Sequence, residues 1–313
     1  STNVAPDNAY TVFPVKTTAT DVVNSMAYYA PGGATVAKYH IFRNGVWGAV
    51  VTRAEGTIRH AIHLQNGNIA CLCQADAGTA INILIINPDS GAVTVSNTLT
   101  GTAPSASSYT RMLELETGNI VAYVYTGTTV NTYRYTTSGN TLAAGTTGTS
   151  GIAMTFGAAS LTIRATPTGD VMGVLYPGTG NGYLCFTHTV VANTCSTLIT
   201  VNPTSSTGNA SYVMCSDGRV FMTPTYNTTT KTGWAIYYSS SHTVVTGGLP
   251  TSVQLNGAAM VELMPGVVAC IAGGGSGTTA GPSIYVYNLD SMVGCSHIIK
   301  GCYGCSYDFA RAY

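Results

Sequence analysis

Few residues of this 313-residue chain have types and spacings suited to chemistry, and each grouping can be weighed by where its side chains would point. His60 and His63 in "RHAIH" (59–63) stand three apart. On a strand that places them on opposite faces, so they cannot ligate one metal without a bend and read as surface or packing residues. His40, His188, His242 and His297 are isolated. Cys71 and Cys73 in "CLC" share one strand face and read as small packing hydrophobes. Cys302 and Cys305 in "CYGC" have the spacing of a metal knuckle or redox pair. A knuckle needs a second ligand pair, for which Cys295 and His297 are the candidates; a disulfide and free thiols remain open alternatives. The cysteines number nine, so at least one is unpaired if pairing is internal. Glu114 and Glu116 share a strand face and form the best adjacent carboxylate pair, but they read first as a solvated edge. Arg59, Arg111, Arg164 and Arg311 fall at different offsets in the repeats described below and make no evident triad. There is no Gly-x-Ser-x-Gly elbow and no Walker loop. These residues imply no catalytic group, no metal and no cofactor: the chain reads as a non-enzyme.

Composition narrows the class further. Only 8% of residues are charged and the formal net charge is +0. That removes the clustered Lys and Arg needed to displace counterions from nucleic acid, and basic attraction to anionic membranes with it. Thr, Ser, Asn and Gly fill the polar quota, with 20 Tyr, 36 Gly and 12 Pro. β-Branched and aromatic residues favour strands while Gly and Pro supply turns, so the class is all-β. No apolar run reaches the 18 residues of a membrane span. Residues 1–20 lack the basic start and apolar block of a signal peptide. The expectation is a chain made without one or cleaved before Ser1, and Ser1 also suits loss of an initiator Met.

The elements that must position these residues appear as a repeat. "LQNGNIACL" (Gly67) returns as "LETGNIVAY" (Gly118), "TPTGDVMGV" (Gly169), "CSDGRVFMT" (Gly218) and "LMPGVVACI" (Gly266). The glycines are spaced by 51, 51, 49 and 48 residues. Each turn is preceded by one strand and followed by three, as in "YTRMLEL", "NIVAYVY", "TVNTYRYTT" and "LAAGTT". Four strands at a period near 50 residues make a propeller blade. Residues 25–51 match the last three strands of a further blade. The expected fold is an all-β six-bladed β-propeller over residues 23–313, with residues 1–22 an extended arm. "SYDFARAY" (306–313) is expected to complete the first blade, by analogy with "SYTRMLEL" (108–115); the alternative first strand is the segment "AYTVFPV". Small residues Ala122 and Gly173, standing where other blades have Cys71, Met222 and Cys270, are read as a taper toward the axis.

With its L-x-x-G-x-V turns, the glycine-rich "ACIAGGG" (269–275) and "IFRNGVW" ending in Trp47, the chain resembles a degenerate kelch or galactose-oxidase-type propeller. Most blades lack the Gly pair and Trp of kelch units. The propeller enzymes leave marks that are missing here: no repeated Ser-x-Asp-x-Gly-x-Thr-Trp turns of sialidases, and no evident set of two His, two Tyr and a Cys for copper. The charge-poor Thr/Ser/Gly/Asn style also resembles structural proteins of tailed bacteriophages, including tail-fibre tips, receptor-binding heads and capsid decorations. That resemblance implies a virion-surface protein, made in the host cytoplasm, that recognises a host glycan or docks other virion proteins. A secreted lectin-like adhesin and a polysaccharide-acting propeller enzyme are the alternatives.

Tyr supplies flat amphipathic contact area and short polar side chains supply adaptable hydrogen bonds, a surface suited to neutral polymers. The richest stretches, 124–137 and 223–241, put forward Tyr133, Tyr135, Tyr226, Trp234, Tyr237 and Tyr238 as binding residues. Tyr10, Val12 and Phe13 in the arm are expected to anchor the chain to another subunit, the alternative being that they pack onto the outer strands of its own first or last blade. Expected partners are other virion or surface proteins, a host-surface glycan and a second copy of the chain, with no nucleic acid and no membrane insertion. Asn209 and Asn227 are formal glycosylation acceptors, relevant only after secretion.

Overall fold

The computed structural model describes residues 11–16, 23–29, 36–43, 46–75, 80–101, 109–153, 159–177, 182–201, 210–224, 233–248, 259–272 and 283–298. Among them the strands form six antiparallel sheets in chain order, each a meander over its first three strands, with the last edge shared by two short strands in the first four sheets. The chain is all-β and built of six blade units of the β-propeller type. It divides into two compact units, one of residues 1–147 with 190–195, the other of residues 148–189 with 196–313.

In the first unit, sheet one runs Thr11–Lys16, Val23–Tyr29, Ala37–Arg43, with Val46–Trp47 and Val51–Arg53 sharing its last edge. Sheet two runs Thr57–His63, Ile69–Ala75, Ala80–Ile86, then the short Val93–Val95 and Leu99–Thr100. Sheet three runs Tyr109–Glu114, Ile120–Thr126, Thr129–Thr136 and Thr141–Ala144. In the second unit, sheet four contains Ser160–Ala165, Val171–Tyr176, Tyr183–Thr189 and Ile199–Val201. Sheet five contains Ala210–Met214, Arg219–Pro224, Gly233–Tyr238 and Thr243–Gly248. Sheet six contains Ala259–Met264, Val267–Ala272, Ser283–Asn288 and Val293–Ile298.

The first sheet corrects the expected closure. Val23–Tyr29 is paired on its leading edge by Thr11–Lys16, from Thr11↔Tyr28 to Lys16↔Val23. The position assigned to the C-terminal strand is therefore filled from the N-terminal side; residues 306–313 lie outside the described residues. A hairpin closed over a few residues costs far less loop entropy than one closed across the whole chain, and spacing alone cannot register that difference. As an end strand, Thr11–Lys16 also tolerates Pro14, which has no N–H to give to a ladder. Val12 and Phe13 thus belong to a strand of the chain's own first sheet, opposite Ala27 and Met26, and not to a free arm. Tyr10 lies outside the described residues.

The repeated turn is a first-to-second-strand hairpin. Gly67, Gly118, Gly169 and Gly218 each donate N–H to the carbonyl three residues earlier, at Leu64, Leu115, Thr166 and Cys215. Only the glycine takes positive φ, between 77° and 89° at these four, while Asn66, Thr117, Thr168 and Asp217 before it do not. A four-residue turn with a left-handed Gly at its end needs one special residue, where a two-residue Asn-Gly turn needs two. That explains why the glycine recurs and its predecessor varies.

The core lies between consecutive sheets within each unit. Met26, Tyr39 and Ile58 pack with Cys71, Cys73 and Leu84 between sheets one and two. Leu72, Ile83, Ile120, Val124 and Tyr133 fill the space between sheets two and three. In the second unit Met172, Cys185, Val220, Met222 and Tyr237 join sheets four and five. Phe221, Ile236, Val268 and Cys270 join sheets five and six. The second strands are apolar on both sides because they are buried on both sides. Their small residues follow cross-strand pairing, where a taper was expected. Gly173 faces Phe186, Ala122 faces Tyr133 and Cys71 faces Leu84, while the larger Met222 faces Ala235. Small meets large across each pair, as close packing of a sheet core requires.

Candidate functional site

Three first strands of the second unit line one open pocket of about 440 Å³. Each gives three consecutive residues: Thr162–Arg164, Tyr212–Met214 and Met260–Glu262. These positions lie four to seven residues before the turn glycines Gly169, Gly218 and Gly266, so the repeat brings them together. Successive sheets set them in rows. In one row the hydroxyls of Thr162 and Tyr212 hydrogen-bond at 2.7 Å. In the next, Arg164 donates from Nη1 to the Met214 carbonyl and pairs with Glu262 Oε2 at 3.1 Å.

Glu262 is the fixed point of that row. Its carboxylate accepts from the backbone N–H of Ser216 at 2.7 and 2.8 Å and from the Ser216 hydroxyl at 2.7 Å. Its side chain is only 6% exposed, whereas that of Arg164 is 25% exposed. A carboxylate taken out of water needs this many charge-assisted bonds to be stable there. With them made, Glu262 holds Arg164 in place over the pocket. Beyond the pocket, Tyr212 meets Tyr183 and Tyr183 meets Tyr176, each pair with centroids 5.2 Å apart.

Behind this row sits a second ion network. Arg219 binds Asp217 Oδ2 through Nε at 2.9 Å and Nη2 at 2.6 Å, and Asp290 Oδ1 through Nη1 at 2.6 Å. Burial alone would lower the Arg219 pKa, but hydrogen bonds to Asp217 and then Asp290 outweigh it and raise the value. The Arg219 guanidinium lies where a Cβ on Gly266 would stand, so this turn glycine is required by space as well as by its φ of 75°. Cys215, Asp217 and Glu262 bring ligand-type atoms within 4.8 Å of one another. Their present commitments differ from those of a metal centre. Both carboxylates are held by arginine, and the Cys215 thiol is pushed up to about 12 by burial, then by Glu262 and Asp217. A metal would have to break these pairs and deprotonate that thiol.

The aromatic residues singled out in the sequence are mostly core. Tyr133 and Tyr135 are each 3% exposed and pack between sheets two and three. Burial pushes the Tyr133 hydroxyl up to about 12, and Tyr135 donates to Asn140 Oδ1 at 2.8 Å. Tyr237 is fully buried, its hydroxyl bonded to Thr187 Oγ1 at 2.7 Å and His242 Nδ1 at 2.9 Å. These three are corrected from binding residues to core residues: strand alternation sends every second aromatic inward, and none of the three faces water. Trp234 and Tyr238 are half-buried against the core between sheets five and six. Trp234 lies over Gly247, its cross-strand partner. Tyr226, Asn209 and Asn227 lie outside the described residues.

The chemical groupings fare similarly. Cys71 and Cys73 share a buried face as free thiols. His60 and His63 are half-buried, with His60 Nδ1 and His63 Nε2 unpartnered; a bulge at Arg59 precedes them. Glu114 accepts the Gln65 backbone N–H at 2.6 Å, clasping the turn of the preceding sheet as Glu262 does at Ser216, while Glu116 is exposed in a turn. The side chains of Cys295 and His297, and all of Cys302, Cys305 and Arg311, lie outside the description. The sequence reading had Arg164 on a first strand but sought arginine partners for it; its partner is Glu262. It missed Thr162, Tyr212, Met260 and Glu262, whose shared signal is their offset from the turn glycine.

No protein-family model matches the sequence, and no curated protein matches it. Solved structures similar to the chain include a fungal six-bladed β-propeller lectin from Aleuria aurantia described with a fucose recognition mode. It is 10% identical, with a TM-score of 0.41, covering 92% of this chain and 94% of that one. The β-propeller domain of a protease from Pyrococcus furiosus is 8% identical, with a TM-score of 0.40, covering 89% and 81%. A eukaryotic initiation factor is 9% identical, with a TM-score of 0.45, covering 88% and 74%.

Proposed function

We propose that this chain is a non-enzymatic recognition propeller of a virion surface whose ligand class is carbohydrate. The observation that carries the reading is the first-strand pocket of the second unit. It joins an aromatic hydroxyl, a threonine, apolar Ile163, Val213 and Met260, and one guanidinium in a concave site. A sugar presents apolar C–H faces and fixed hydroxyls, which such a mixed lining suits. The same pocket is poorly equipped for glycoside cleavage. That reaction needs two carboxyl groups about 5–9.5 Å apart, one able to give a proton. Among the described residues this pocket is lined by one carboxylate, Glu262, and that group already accepts from Ser216 and Arg164. The virion setting is supported by composition: 8% charged residues, with Thr, Ser, Asn and Gly as the polar surface.

Two measurements test the two halves of this reading. Binding to an array of bacterial surface glycans, repeated by calorimetry with the best oligosaccharide, should give saturable association without product formation. Absence of any glycan binding would remove the carbohydrate half, and release of reducing ends would move the protein to the enzyme alternative. Mass spectrometry of purified particles should find the chain in stoichiometric amounts. Finding it only in secreted fractions would favour the adhesin alternative.

A further inference from the structure

We infer that the pocket selects sugars bearing a carboxylate, with Arg164 as the group that reads it. The inference rests on the carbohydrate reading above and adds which sugars the site prefers.

Arg164 uses one nitrogen internally. Nη1 donates to the Met214 carbonyl and faces Glu262, while Nε and Nη2 make no hydrogen bond among the described residues. Arg164 lines the pocket and its side chain is a quarter exposed, so these donors can be offered to a ligand. A planar fork with a free edge matches a carboxylate better than a single hydroxyl, because two parallel N–H···O bonds form at once. The side chain is also held in advance. The Ser216 N–H and hydroxyl fix Glu262, and Glu262 together with the Met214 carbonyl fixes Arg164. A long side chain already held loses little rotamer freedom when its ligand arrives, and that strengthens binding.

Two other arginines, Arg59 of a first strand and Arg219 of a second strand, are more fully committed. Arg59 is committed to Gln74 Oε1 through Nε at 2.8 Å and Nη2 at 2.5 Å. Arg219 is held by two aspartates. The rest of the pocket suits the remainder of a sugar. Thr162 and Tyr212 present a hydrogen-bonded hydroxyl pair at 2.7 Å, and Met260 and Ile163 give apolar surface for a ring face. Because Glu262 balances Arg164, the site is a fork for one oriented carboxylate and not a field that gathers anions.

The test is calorimetry of the full chain with a galacturonate tetrasaccharide, a neutral galactose tetrasaccharide of the same length, and sodium acetate. The acidic oligomer should bind about 10–100-fold more tightly than the neutral one, the difference expected of a charge-assisted bidentate contact. Acetate should bind at least tenfold more weakly than the acidic oligomer. Arg164→Gln should remove the preference for acid while leaving weak binding of the neutral sugar. Arg164→Lys keeps the charge opposite Glu262 and so guards against a folding defect; it should retain only part of the preference, because a lysine has no fork. Equal affinity for acidic and neutral oligomers would overturn the inference and leave the carbohydrate reading standing. So would a preference that survives both substitutions, or acetate binding as tight as the acidic oligomer. If no sugar binds at all, the carbohydrate reading itself fails and this inference falls with it.

Discussion

Gly173 offers a direct test of how the sheets are packed. It sits in the second strand of sheet four, opposite Ile163 on one side and Phe186 on the other. Phe186 is fully buried. A Cβ built on Gly173 would fall 2.8 Å from Phe186 Cδ1, with Cε1 and Cζ nearer still. Gly173 is not among the positive-φ glycines, so Gly173→Ala meets no backbone obstacle. Two effects then oppose each other. Replacing glycine in a strand removes unfolded-state freedom and stabilises by roughly 0.5–1 kcal/mol. Forcing a methyl into the ring's space costs about 1–3 kcal/mol. Packing wins, and a net loss of about 1–2 kcal/mol is expected. Phe186→Leu alone should cost about 1–1.5 kcal/mol, because it vacates part of the ring volume. In the double variant the new methyl occupies that space, so the losses should fall short of additive by about 1 kcal/mol. Urea unfolding of the four proteins, followed by circular dichroism and tryptophan fluorescence, gives the cycle. A Gly173→Ala variant as stable as the parent, or a cycle that is strictly additive, would refute the claim that this glycine exists to admit Phe186.

Three further outcomes follow from particular side chains. Glu114→Ala removes the acceptor for the Gln65 N–H and should cost about 1 kcal/mol in the same unfolding assay; Glu114→Gln should recover part of it, and a neutral Ala variant would mean the clasp contributes nothing. Burial, then the charge of Arg111, holds His60 down at about 4. Its folded pKa is below its unfolded value, so the unfolded chain takes the proton first and stability should fall between about pH 6.5 and 4, by roughly 2–3 kcal/mol. His60→Gln should flatten that window, and an unchanged slope would assign the loss elsewhere. Of the six described cysteines, five are buried and Cys195 is partly exposed. Burial raises the Cys270 thiol to about 12, so brief maleimide treatment at neutral pH with peptide mapping should label Cys195 well before Cys71, Cys73, Cys185, Cys215 or Cys270. Equal labelling of the six would contradict the packed core.

What the sequence made legible was what a repeat carries in its own letters. The turn glycines are readable because a left-handed residue leaves few options, and Gly67, Gly118, Gly169, Gly218 and Gly266 all take positive φ. The apolar second strands are readable because burial on both faces leaves no polar alternation, as in Ile120–Tyr125. Information that belongs to pairs of segments was much less accessible. The partner of Val23–Tyr29 had two candidates in the sequence, and the choice rested on spacing, which is blind to loop-closure entropy; the local strand Thr11–Lys16 holds the position. Tyr133 and Tyr237 looked like ligand contacts because composition counts aromatic residues without facing them, and their cross-strand neighbours turn both into the core.

The pocket was hidden for a related reason, and its geometry explains where function should be sought in such a chain. Arg164, Tyr212 and Glu262 stand about 50 residues apart, and no local motif joins them. They meet because each occupies nearly the same offset before a turn glycine, in first strands that the repeat lays side by side. A repeat that keeps its turns and its apolar second strands can vary the side chains at those offsets, some of which, such as Met112 and Met214, still pack into the core. In the first unit the corresponding residues include His63 and Glu114, of which Glu114 clasps Gln65. In the second unit the same clasp, Glu262 on Ser216, also pairs with Arg164, which lines the pocket. With Arg164 as the proposed reading group, one arginine at one offset would suffice, so a charge-poor composition is compatible with a functional charge.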